Sequence, residues 1–199
     1  MRKRPIEPCS SDSEATSISC VTASTEESCN GHEMGMKCAY TFDQLLAYSE
    51  TEDARWNEWL NANPAALDIP FADGRLATIR GLIVHIFAVE LRYTERLCGR
   101  EVTSYDDIHV HSLDEIFGLR VKARTMLRQY LEGMTEADAA TVLTFATMTA
   151  GTLTASKHKI ASNIFIHSIR HWAQVATTLR TAGFTKQWGH DVLLSDLDM

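Results

Sequence analysis

No apolar run in this 199-residue chain approaches the roughly 18 residues that a membrane helix requires, so no membrane-spanning role is expected. A basic excess is missing as well. Lys and Arg total 19 against 26 Asp and Glu, for a net charge of -7. Nucleic-acid binding needs a basic face that neutralises phosphates, so no partner of that kind is expected. The basic start Met1-Arg2-Lys3-Arg4 is not followed by an apolar stretch, so no secretory signal is read and a cytoplasmic location is expected. No Gly-rich phosphate loop is present, nor any Ser-His-Asp or Cys-His arrangement. Zinc-finger spacing is missing too. Cys9, Cys20, Cys29 and Cys38 are separated by 11, 9 and 9 residues, whereas finger pairs lie about two to four apart. With no export signal, these cysteines read as free thiols rather than a disulfide framework. Cys98 reads as a small residue at a helix end.

Residues 1–38 hold seven Ser, three Thr and four Cys, and almost no large apolar residues. Such a segment buries too little surface to offset its ordering entropy, so it is expected to be a disordered extension. Residues 39–199 are expected to form one helical domain. Tyr40, Leu45, Tyr48, Trp56, Trp59 and Leu60 predict a first helix over about 41–62, ended by Asn63-Pro64. From Leu76 to Leu97, apolar residues recur at three- and four-residue steps, and Gly99 follows as a cap. Ser112-Leu113-Asp114-Glu115 is a capping box that opens a third helix ending at Gly133. The β-branched stretch 141–155 predicts an extended segment or a short hairpin around Gly151. A fourth helix runs from about Ser156 to Arg180, with Gly183 as its cap. The fold class is therefore all-α, a four-helix bundle with a short extended segment before the last helix.

The histidines carry the chemistry. His167 and His171 lie four apart in the fourth helix, which puts both imidazoles on one face. A zincin would need Glu at 168, where this chain has Ser168. His85 sits in the apolar run GLIVHIFAVE. It is either a hydrogen-bonded core histidine or a third ligand facing the pair across the bundle. Three imidazoles favour Zn²⁺, Ni²⁺, Co²⁺ or Fe²⁺ over oxygen-seeking Mg²⁺ or Ca²⁺, and leave at least one position open. His109 and His111 read as a loop. His32, His158 and His190 belong to no constellation.

Two segments resemble a known family. HIFAVELRYTERLCG, residues 85–99, is similar to the His-x(4)-Glu-x(8)-Gly segment of the DinB/YfiT-like superfamily. HSIRHWAQVATTLRTAG, residues 167–183, resembles its second hallmark through His167, His171, Gln174, Leu179, Arg180 and Gly183. The resemblance spans roughly residues 41–185, and the Cys/Ser-rich start falls outside it. It implies a four-helix bundle with a divalent metal on His85, His167 and His171; the imidazole donors put Zn²⁺ or Ni²⁺ ahead of Fe²⁺, Co²⁺ or Mn²⁺. Characterised members include S-transferases and isomerases that use low-molecular-weight thiols such as bacillithiol or mycothiol.

Around this site, Gln174 and Asn163 are candidates to hydrogen-bond a ligand imidazole and fix its tautomer, or are simply polar residues at a helix interface. Arg92, seven after His85 and on its face, is a candidate to hold a carboxylate of an anionic thiol, or else a solvent-facing or ion-paired arginine. Glu90 lies about 140° round the helix from His85 and reads as an interhelical ion-pair partner rather than a ligand. The expected function is a metal-dependent thiol S-transferase acting on a small thiol and an electrophile. The alternatives are a metal-dependent hydrolase and a non-catalytic metal-binding stress-response bundle. A homodimer is expected.

Overall fold

A computed structural model of the chain describes residues 40–71, 76–148, 150–185 and 188–195. The expected disorder of residues 1–38 lies outside the described residues. Four long helices form the bundle: α1 (Phe42–Ala62), α2 (Ile79–Leu97), α3 (Leu113–Glu132) and α5 (Lys157–Thr181). A short helix, α4 (Glu136–Ala140), and a two-stranded hairpin, β1 (Val142–Ala146) and β2 (Thr152–Ser156), join α3 to α5. α2 is the central helix and packs along both α3 and α5, while α1 lies against α3 and α5.

Local chemistry sets the boundaries. Thr41 and Gln44 form a capping box at the start of α1, and Ser112 and Glu115 form one at the start of α3. Asn63 ends α1, and Pro64 opens a 3₁₀ turn over Pro64–Asp68. The second helix begins at Ile79, three residues later than the apolar period suggests. Pro70 and Thr78 form an isolated antiparallel bridge, which takes the chain at Thr78 into extended backbone. The Thr78 side chain then accepts from the Gly81 amide and caps α2. A Cβ at Gly81 would sit 2.0 Å from the Leu76 carbonyl oxygen, so this close approach requires glycine. At the far end, Gly99 takes a left-handed backbone (φ 64°), and the Arg100 amide returns to the Glu95 carbonyl in a Schellman closure. The extended segment expected before the last helix is a true hairpin, with Val142 opposite Ser156 and Ala146 opposite Thr152. Gly151 (φ 68°) makes its turn.

The core has two main apolar clusters. One gathers Trp56, Leu60, Ile83, Phe87, Trp172 and Leu179, and the other Leu46, Leu97, Leu127, Ile164 and Phe165. Buried polar residues run through the interior as well. Asp53 of α1 accepts from Arg120 Nε of α3 at 2.9 Å and from Trp172 Nε1 of α5 at 2.9 Å. Arg124 of α3 lies 2.5 Å from Glu90 of α2 as an ion pair, donates to Ser49 at 2.6 Å and reaches Asp53 at 3.7 Å. Glu90 is thus an interhelical ion-pair partner. Burial pushes its carboxyl up to about 7, against the opposing pull of Arg124.

The C-terminal segment is pinned to α1. The Tyr48 hydroxyl donates to the His190 carbonyl at 2.7 Å, and Trp188 Nε1 donates to Glu52 at 3.2 Å. The His190 ring contacts the Glu52 carboxylate and stacks on Trp56. This corrects the reading of His190 as a residue without a constellation. Its partners are about 140 residues away in sequence, beyond any local pattern.

Removing one side of the buried network strands charges in the core. Asp53→Ala is expected to cost about 3–5 kcal/mol in urea unfolding. Glu50→Ala, which removes the outer pair with Arg128, is expected to cost at most about 1 kcal/mol.

Candidate metal centre

α2 and α5 face each other, and their contact brings the three singled-out histidines together. One nitrogen from each of His85, His167 and His171 lies within 4.8 Å of the others. The ring centroids stand 5.2 Å (His85–His167), 5.1 Å (His85–His171) and 4.3 Å (His167–His171) apart. Nitrogens around a single ion with bonds of about 2.0–2.1 Å lie roughly 3–3.4 Å from one another, so the rings would draw together on binding one. The i, i+4 spacing on α5 puts His167 and His171 on one face. The register of α2 against α5 supplies His85.

The surroundings fit a ligand role. Gln174 Oε1 lies 2.5 Å from His171 Nδ1. With the amide oriented this way, Nδ1 carries the proton and Nε2 carries the lone pair. That lone pair faces the Arg170 guanidinium, whose Nη2 is 3.3 Å away, so a cationic donor already stands where a cation would bind. Burial, together with the neighbouring His171, His85 and Arg170, depresses the His167 imidazole to about 3. His167 is therefore neutral, the state a ligand needs. Trp172, next to His171, turns inward, stacks on Trp56 at 5.1 Å and anchors on Asp53.

A cavity of about 440 Å³ opens onto the three rings. Arg92 lines it, half-buried, with its guanidinium 4.2 Å from the Tyr105 ring centroid and donating to the Thr103 carbonyl. Asn163 lies on its exposed side. Sequence reasoning missed two further arginines in the lining, Arg96 and Arg170. Arg96 follows Arg92 by one helical turn, and Arg170 stands between the two histidines of α5. Both were legible by spacing, but nothing in one helix alone distinguishes them from solvent-facing charges. His109 and His111 are exposed ahead of α3, in the expected loop.

A helical bundle with a three-imidazole cluster at a half-open cavity is the class that this fold and site define. A sequence model described as the DinB superfamily matches residues 47–175, and the chain belongs to that superfamily. No curated protein matches the chain. Among the described residues, no helix is long and apolar enough to cross a membrane.

The His167 shift gives a pH test on metal-free protein. Its folded-state pKa lies below the ordinary 6.5, so the unfolded chain takes up the proton first. Its contribution to stability is fully present above about pH 6.5 and is lost as pH falls towards 3. An NMR titration is expected to show the His167 ring still neutral at pH 5, and His167→Asn should flatten the acid limb of the stability curve.

Proposed function

We propose that His85, His167 and His171 hold a divalent metal ion, Zn²⁺ or Ni²⁺, and that the protein is a metal-dependent thiol S-transferase. The observation that carries this reading is the convergence of three imidazole nitrogens from two facing helices on one cavity, without a carboxylate in the cluster. A nitrogen-only set suits these ions better than Mg²⁺ or Ca²⁺. Bound there, such an ion supplies the Lewis acidity that keeps a thiol sulfur as its thiolate at neutral pH.

The chain's own residues do the rest. Gln174 holds the His171 ring and fixes its tautomer, which raises the basicity of the ligand nitrogen. Three protein ligands leave room for a sulfur from the cavity side. No Asp or Glu is among the described residues lining that cavity. A bound metal brings both thiol and water towards ionisation at neutral pH, but a thiol, with a free pKa of about 8.5, ionises more readily than water and makes the smaller demand on a lining without carboxylates. This favours transfer over the hydrolytic alternative.

Elemental analysis of untagged wild type should find about one metal per chain, lost in His85→Ala. Equal metal content in both would remove the three-histidine reading. Gln174→Leu should keep the ion but weaken its affinity about 10–100-fold in chelator competition. Turnover of an electrophile only with added thiol supports the transferase. Turnover without thiol supports a hydrolase, and a bound metal with no turnover in either condition supports a non-catalytic bundle.

A further inference from the structure

The cavity in front of the three histidines is basic in a protein that is acidic overall. Its described lining holds Arg92, Arg96 and Arg170 and no Asp or Glu, although the chain has 26 acidic residues against 19 basic ones. Five arginines elsewhere are matched to acids, Arg55 to Glu52, Arg80 to Asp68, Arg120 to Asp53, Arg124 to Glu90 and Arg128 to Glu50, while Arg100 and Arg180 are exposed and stand apart from one another. None of the three cavity arginines forms an ion pair among the described residues.

Neutral groups hold Arg92 and Arg96 in place instead, while Arg170 is exposed at the rim. Arg92 lies over the Tyr105 ring and donates to the Thr103 carbonyl. Arg96 lies 5.0 Å from the Phe145 ring centroid and donates to the Arg92 carbonyl at 3.0 Å. Partial burial above all, and the adjacent Arg92 charge after it, push the Arg96 guanidinium below its ordinary value. Gathering cations in one half-enclosed space costs desolvation and repulsion that an anion relieves, and the guanidinium fork matches the paired oxygens of a carboxylate or phosphate. Arg92 is seven residues past His85 on α2, two helical turns or about 10 Å along the axis.

We propose that the cavity selects substrates bearing an oxyanion at the end remote from the reacting group. Arg92 and Arg96 grip that oxyanion, and Arg170 adds positive field beside His171. Placing the reacting end at the histidines rests on the metal-centre reading; the oxyanion grip does not. The two are therefore tested apart.

In the first test, metal-free full-length protein is titrated with succinate and with inorganic phosphate by calorimetry. Wild type should bind, and Arg92→Gln and Arg96→Gln should each weaken binding by about tenfold or more, the size of one charged hydrogen bond. Arg96→Lys should recover part of the loss. Tighter succinate assigns a carboxylate, and tighter phosphate a phosphate ester. Arg96→Gln guards against Arg92→Gln failing to fold, and thermal melts check both. No binding to wild type, or equal binding to folded variants, overturns the proposal.

In the second test, Co²⁺-loaded protein is titrated with 3-mercaptopropionate, 2-mercaptoethanol and cysteamine, read by sulfur-to-cobalt absorption. The anionic thiol should bind about tenfold or more tighter than the neutral one, with the cationic one weakest, and Arg96→Gln should erase the order. An unchanged order in the variant, or no preference in wild type, overturns the selectivity. If wild type binds no Co²⁺, the metal-centre reading fails, and the succinate and phosphate titrations still decide the grip.

Discussion

Asp53 is the side chain on which the arrangement of the bundle turns. Its carboxylate accepts from Arg120 of α3 and Trp172 of α5, and Arg124 links it onward to Glu90 of α2. One buried group of α1 is thereby tied to each of the other three long helices. Attraction within such a network is largely offset by the desolvation of its charges, so its main contribution is to register rather than net stability. The apolar clusters supply the burial energy, but apolar surfaces tolerate sliding. Charged groups with fixed partners do not.

That register reaches the histidines directly. Trp172 follows His171 in the chain, and its anchor on Asp53 fixes the rotation of α5. Glu90 lies five residues after His85, and its pairing with Arg124 fixes α2 against α3. The inward face of α5 thus carries Trp172 into the core while His167 and His171 meet His85. The three histidines stand on helices, and the cavity in front of them is completed by Tyr105 in the α2–α3 connection and Met148 in the hairpin turn.

The bundle was legible wherever a local signal carried it. Periodicity and the signals at Asn63-Pro64, Gly99, Ser112–Glu115 and Gly133 mark helix boundaries within a few residues of where they fall. The hairpin around Gly151 showed in the β-branched run. What was not legible depended on partners distant in sequence. α2 starts late because Pro70 pairs with Thr78. α4 is too short to show a period. The buried network left a trace that composition hides: Leu46, Ser49, Asp53, Trp56 and Leu60 step by three and four, which places Asp53 on the core stripe of α1. A charge on a core stripe signals a buried partner, but it does not say which of several arginines answers it. The histidines divide in the same way. His167 and His171 share a face by spacing alone, while His85 meets them only through the packing of α2 on α5. The basic lining of the cavity is likewise a property of helices brought together.

The central proposal is that three imidazoles act as one ligand set. The most direct measurement is X-ray absorption at the metal edge of full-length protein loaded with Zn²⁺ and dialysed. A shell of about three imidazole nitrogens at about 2.0–2.1 Å is the predicted result. A shell dominated by sulfur, which would draw on the cysteines, or one of oxygens alone would contradict it.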